Sequence, residues 1–222
     1  MFGGHWWVAN YAEAGRYIEL VSHVFWVIFS ICLHELGHGW AALRQGDGTP
    51  RRLDRMNMNP LVHMGAPSLL VFAIVGIAWG MMPVDPSRFR SGRMGDVLVA
   101  AAGPAVNFAL AIGCLILLVP WVAFGPMDAN VGENVATFLF IGAWLNLVLG
   151  LFNLLPAPPL DGSRILAGLF RPFELIANHP NAPLFGLFVI VALMMTGGIG
   201  LLFYGTRQVI DAITSIGVGV LS

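Results

Sequence analysis

Apolar residues run along this chain in long blocks, not in the short alternating or one-sided patterns of a soluble fold. Five blocks, residues 20–34, 56–84, 97–127, 134–160 and 175–206, carry almost no Asp, Glu or Arg. About 20 apolar residues are enough to cross a bilayer, so most of these blocks read as membrane helices. Two stretches break the pattern. Residues 49–63 alternate Met56 and Met58 with Asn57 and Asn59, which predicts a short strand or hairpin. Residues 68–82 are only about 15 long, which predicts a re-entrant or interfacial helix.

Charge fixes the expected orientation. Arg44, Arg51, Arg52 and Arg55 follow the first helix, Arg88, Arg90 and Arg93 precede the second full span, and Arg164 and Arg171 follow the third. By the positive-inside rule these regions are cytoplasmic. The connection over 125–133, with Asp128 and Glu133 but no Arg, belongs on the other side. A full span over 68–82 would put one Arg-rich loop on the wrong face. After Pro172, Pro180 and Pro183 a last apolar segment is split by Gly197, Gly198 and Gly200, leaving one C-terminal span or two.

Composition agrees. Of 222 residues 57% are hydrophobic and 10% charged, against roughly 25% charged in soluble domains. That excludes a soluble enzyme and a disordered chain. A net charge of -1 gives no basic footprint for nucleic acid, so partners are expected in or at the bilayer. Cys32 and Cys114 lie in apolar stretches and read as core residues. The N-terminus lacks the pattern of a cleaved leader. The reading is an all-α polytopic membrane protein, one membrane-embedded domain over 1–222, with a core over 18–171 and its C-terminal span or spans over 183–222.

Candidate chemistry lies in the second half of the first helix, His34-Glu35-Leu36-Gly37-His38. At spacing i, i+4 both imidazoles leave one helix face, about 5–6 Å apart at Cβ, and can share one metal in the HExxH manner. The plain alternative is a packed histidine pair. An intramembrane carboxylate costs on the order of 2.5–3.5 kcal/mol, which argues that Glu35 is there for function. Zinc takes a third protein ligand and keeps one position open in catalytic sites. His5, His23, His63 and His179 are isolated, and His63 reads as a solvated loop residue. The remaining candidate is Asp161, at the end of the segment from Phe152 to Gly162. Pro156, Pro158 and Pro159 cannot continue a helix. Irregular backbone at membrane depth is tolerated only where it lines protein or a wet cavity, which places Asp161 opposite the histidines. The alternative is an ordinary helix N-cap.

These residues, with Gly103-Pro104-Ala105-Val106-Asn107 between them and Asn153, Pro156, Pro159, Leu160, Asp161 and Gly162 in order, resemble the site-2 protease family of intramembrane zinc metalloproteases. The resemblance spans residues 34–162. Asn59-Pro60-Leu61-Val62-His63 and residues 79–86 are similar to the short members of that family. The chain departs from them at Met64-Gly65-Ala66-Pro67, where they often carry an Asp-Pro-Gly-like turn, and it has no insertion large enough for a PDZ domain. The resemblance implies that His34, His38 and Asp161 hold one zinc per chain and that Glu35 is the catalytic carboxylate. It also implies that Asn153 helps hold substrate or an oxyanion, and that Asn107 belongs to a packing motif near the site.

The expected function is therefore hydrolysis of peptide bonds within or next to transmembrane helices of single-span membrane proteins. A helix must unwind locally before a protease reaches its carbonyls, and the strand expected over 49–63 would pair with the unwound segment by β-augmentation. Any substrate filter is the membrane fold itself or a partner, an accessory membrane protein or a second copy of the chain. The expected location is a prokaryotic plasma membrane, with the active site toward the cytoplasm. A membrane di-iron oxidase would need more histidines, and a tethered soluble HExxH protease would keep its motif outside the apolar core. Against a proteolytically silent scaffold stand the intact His34, Glu35, His38 and Asp161.

Overall fold

The computed structural model describes residues 6–126, 131–177 and 179–221; His5 and Asp128 lie outside the described residues. A short helix α1 (Trp7–Glu13) leads into α2 (Tyr17–Arg44), which carries the HExxH sequence. Two single turns, α3 (Thr49–Arg52) and α4 (Pro60–His63), precede α5 (Gly65–Val75). Then come α6 (Gly92–Phe124), α7 (Val131–Asn153), α8 (Asp161–Leu169) and α9 (Arg171–Ala177). The chain closes with α10 (Ala182–Met195) and α11 (Gly198–Leu221), bent by 67° at Gly197, whose φ of +80° needs no Cβ. Among the described residues α2, α6 and α7 are long and apolar enough to cross a membrane, and α10 with α11 can supply a fourth, broken span. This is the all-α polytopic fold expected.

The three long helices form the core. His38 meets Val99 and His34 meets Asn107, so α6 runs antiparallel to α2; Trp121 meets Gly132 and Asn107 meets Asn146, so it also runs antiparallel to α7. Close approach depends on small residues. A Cβ on Gly37 would lie 2.9 Å from the Ala102 carbonyl oxygen on α6, and one on Gly142 would lie 2.4 Å from the Trp26 indole. In lipid, where apolar burial drives little association, such close backbone packing and interhelical hydrogen bonds do the holding. Trp26 adds one, donating to the Phe138 carbonyl at 2.8 Å.

Contacts between the Arg-bearing connections gather at one end of the bundle. The Arg90 N–H donates to the Gln45 carbonyl at 2.8 Å, Arg93 donates to the Ala167 carbonyl at 2.8 Å, and Arg164 pairs with Asp96 at 2.5 Å. Buried Asp47 ties the same end, accepting from the backbone N–H groups of Thr49 and Asp85.

Two expectations are corrected. Residues 49–63 form α3 and α4, and no strand occurs among the described residues. The alternating Asn57 and Asn59 cap turns instead of facing one side of a pleat: Asn57 Oδ1 accepts from the Asn59 N–H at 2.8 Å, and Asn59 Oδ1 from the Leu61 N–H at 3.0 Å. Pro50 and Pro60 sit in the first turns of their helices, where a missing N–H costs nothing.

The helix expected over 68–82 is α5, shifted toward the N-terminus and stopped by Gly76 in the left-handed region at φ +81°. Its 11 residues span about 16 Å, too short for a hydrocarbon core of about 30 Å. Residues 77–85 then return without helix or strand. Fully buried Ser68 holds the return: its hydroxyl donates to the Trp79 carbonyl at 2.7 Å and accepts from the Trp79 N–H at 2.9 Å. At the far end the indoles of Trp6 and Trp7 both donate to the Ala73 carbonyl, at 2.7 and 3.2 Å.

Replacing Ser68 leaves both Trp79 backbone groups without that partner. We expect Ser68→Ala to cost about 1–3 kcal/mol of stability. Hydrogen exchange of the detergent-solubilised protein is expected to rise at residues 79–82 while α6 and α7 keep their protection; unchanged exchange at 79–82 would count against this role.

Candidate metal centre

Three buried side chains from two distant segments converge. His34 and His38 lie one turn apart on α2 with Nε2 atoms 3.0 Å apart, and Asp161 Oδ2 approaches them at 3.1 and 3.3 Å. Each is less than a tenth exposed. Asp161 is the first residue of α8, delivered by the non-helical turns between Asn153 and α8. The proline segment is packed so closely that a Cβ on Gly162 would lie 2.1 Å from the Leu154 carbonyl oxygen; α10 supports it from outside, with Gly186 directly against the Pro158 carbonyl. Asp161 is the first residue of its helix, with Leu160 in the N-cap position, and its Oδ2 makes no hydrogen bond, so it is not spent as an N-cap.

The far side of each imidazole decides what the near side can do. His38 Nδ1 lies 2.7 Å from the Val99 carbonyl oxygen, which can only accept. His34 Nδ1 lies 2.6 Å from Asn107 Oδ1, and Asn107 Nδ2 donates to Asn146 Oδ1 at 3.0 Å. With protons on both Nδ1 atoms, each neutral ring presents a lone pair at Nε2. Two lone pairs and a carboxylate facing one another in a buried space repel unless a cation sits among them. The three donors, each able to offer one ligand atom within 4.8 Å of the others, fit a metal ion, and the Nδ1 partners are those that orient metal-binding histidines.

A cavity of about 660 Å³ opens on this trio. Glu35 and Asn153 line it, and its wall extends to Arg55 and Arg164 at the arginine-bearing end. Glu35 is 6% exposed and lies under the returning segment, where a Cβ on Gly80 would be 2.5 Å from its Oε1. Asn153 donates one amide hydrogen to its own helix, at the Leu149 carbonyl 2.9 Å away. Its other amide hydrogen and its Oδ1 remain for a ligand. Asn107 lines the same cavity and meets His34 Nδ1 with its Oδ1.

His63 is a correction. Expected as solvated, it is 2% exposed, donates from Nε2 to the Asn57 carbonyl at 2.5 Å, and lines the same cavity. Its burial comes from the return of residues 77–85, whose Met81 N–H bonds the His63 carbonyl. One residue went unrecognised in the sequence: Asn146, whose signal is a polar side chain in the middle of an apolar span. Gly103 stands in the motif that carries the resemblance, but its place was not read: it lies against the imidazoles, where a Cβ would be 2.4 Å from His38 Nε2 and 2.5 Å from His34 Nε2.

Comparison with known proteins agrees with this centre. The model of Peptidase family M50 matches residues 122–197, which contain Asn153 and Asp161. The "Putative zinc metalloprotease YwhC" of Bacillus subtilis is 37% identical over 175 residues, 78% of this chain and 80% of that protein. The chain belongs to peptidase family M50, the site-2 protease family. Rip2 of Mycobacterium tuberculosis is 33% identical over 204 residues, 87% of this chain and 73% of the relative. "Zinc metalloprotease MJ0392" of Methanocaldococcus jannaschii is 32% identical over 154 residues, 67% of this chain and 36% of the relative. No solved structure matches the chain significantly. The M50 family and the names of these relatives support a zinc metalloprotease built into a membrane.

A methyl group at Gly103 would occupy the space between the two Nε2 atoms. We expect Gly103→Ala to leave helix content unchanged by circular dichroism yet to retain no zinc after dialysis, by elemental analysis. A variant with wild-type zinc content would show that the trio is not the metal site.

Proposed function

We propose that this chain is an intramembrane zinc endopeptidase that cuts single-span membrane proteins within or next to their transmembrane helices. The observation that carries the proposal is the convergence of two imidazole lone pairs and the Asp161 carboxylate beside Glu35, about ten residues, or roughly 15 Å, along α2 from Arg44. His34, His38 and Asp161 hold the zinc, one per chain. When bound, it supplies Lewis acidity, which acidifies water and polarises a peptide carbonyl at one point.

The chain's own residues do the rest. Glu35, next in sequence to a ligand and facing the same cavity, takes a proton from the attacking water at its carboxylate and returns it to the leaving amine. Asn153 offers its second amide hydrogen to the oxygen on which charge develops, an interaction of a kind worth about 2.7–4 kcal/mol. Water enters along the cavity wall that reaches Arg55 and Arg164. The positive-inside pattern makes that end cytoplasmic, and the bacterial and archaeal relatives support a prokaryotic plasma membrane.

A transmembrane helix closes its own hydrogen bonds, so the substrate must present an unwound stretch. The non-helical segment over residues 77–85 passes Glu35 and is the part of this chain placed to pair with that stretch, in the role that residues 49–63 were expected to fill.

The test is cleavage of a reporter transmembrane helix by the purified protein in detergent. Chelation and Asp161→Ala should each abolish cleavage, with loss of bound zinc in both. Glu35→Gln should keep the zinc and slow cleavage by about 10²–10⁴-fold, the usual contribution of a general base. Cleavage at the wild-type rate by Glu35→Gln would overturn the mechanism, and zinc-loaded wild type without cleavage of any transmembrane reporter would favour a silent scaffold.

A further inference from the structure

The hydrogen-bond chain behind His34 ends on a group whose polarity cannot be reversed. The Gly142 carbonyl only accepts, so Asn146 must turn its Nδ2 toward it, at 2.9 Å. That leaves Asn146 Oδ1 facing Asn107, which must answer with its own Nδ2 at 3.0 Å. Asn107 Oδ1 is then left facing His34 Nδ1 at 2.6 Å. One backbone carbonyl on α7 thus dictates, through two amides, which nitrogen of a histidine on α2 carries the proton. Both asparagines are fully buried, and among the described residues their amide atoms make no other hydrogen bond.

We propose that Asn146 is a positioning residue of the metal centre. By locking the Asn107 amide it keeps the His34 proton on Nδ1 and the Nε2 lone pair aimed at the position shared with His38 and Asp161. The inference rests on the zinc reading of that trio. Without Asn146 the Asn107 amide is free to turn end for end and bring its N–H groups against His34 Nδ1. His34 would then hold its proton on Nε2 and cease to be a ligand. The competing account is that Asn146 only fastens α6 to α7, as buried polar residues do in membrane bundles. The two accounts differ in what they do to zinc.

The experiment measures zinc affinity by chelator competition on the full-length protein in detergent, alongside the visible absorption of the cobalt-substituted protein and the melting of the metal-free form. Wild type should bind one zinc; if it binds none, the site reading fails and this inference with it. Asn146→Leu should weaken zinc about 10- to 100-fold, as loss of an outer partner of a ligand does, and should alter the cobalt bands.

The decisive variant is Asn107→Asp added to Asn146→Leu. A carboxylate accepts at both oxygens and cannot turn into a donor, so it should hold His34 Nδ1–H without help and return affinity to within about threefold of wild type, since such carboxylate–histidine–metal pairs are stable arrangements. Wild-type affinity in Asn146→Leu with only a lowered melting point would overturn the proposal, as would failure of Asn107→Asp to restore zinc. If Asn146→Leu does not fold, Asn146→Ala is read in the same way; if neither folds and Asn107→Asp rescues neither, Asn146 is a structural fastener and the inference falls.

Discussion

Where two imidazole protons sit governs this molecule. His34 and His38 are useful to a cation only if both Nε2 atoms are bare, and that is decided on the opposite edge of each ring. Val99 settles it for His38 with a carbonyl of α6, and Gly142 settles it for His34 with a carbonyl of α7, reached through Asn107 and Asn146. Backbone carbonyls suit the task because they have no alternative protonation state. The three long helices must therefore keep their register for the ligands to keep their chemistry. A slide of α7 by one residue would carry Asn146 away from Asn107 and leave the Asn107 amide undirected.

The register is held by closeness. Gly37, Gly103 and Gly142 let α2 approach its neighbours until side-chain hydrogen bonds of 2.6–3.0 Å can cross between them. In lipid the gain comes from packing contacts and from polar groups that have no water to turn to. Gly103 serves two purposes, since the space it leaves is the space the donors face. The same economy lets the membrane helices bury His34, Glu35, His38, Asn107, Asn146 and Asp161 among themselves.

Much of this centre was legible in the sequence, for a physical reason. Charged and imidazole groups are costly in an apolar span, so His34, Glu35, His38 and Asp161 stood out against their background, and prolines 156, 158 and 159 announced the turn that delivers Asp161. What failed was local pattern whose cause is local capping: Asn57 and Asn59 imitate the alternation of a strand while serving turns. His63 could not be read because its burial depends on a segment around Met81, 18 residues later, folding back over it. Asn146 was readable only as a misplaced polar residue, since its meaning lies in partners on two other helices. Gly103 stood in a quoted motif, but a glycine valued for an absent side chain does not show in the sequence what it makes room for.

The loop formed by α5 and its non-helical return is anchored twice, at its base by Ser68 to Trp79 and at its tip by two indoles on Ala73. Glu35 thus lies beneath a segment fastened at two places, and the N-terminal tryptophans, far from the carboxylate in sequence, hold the outer end of the roof above it.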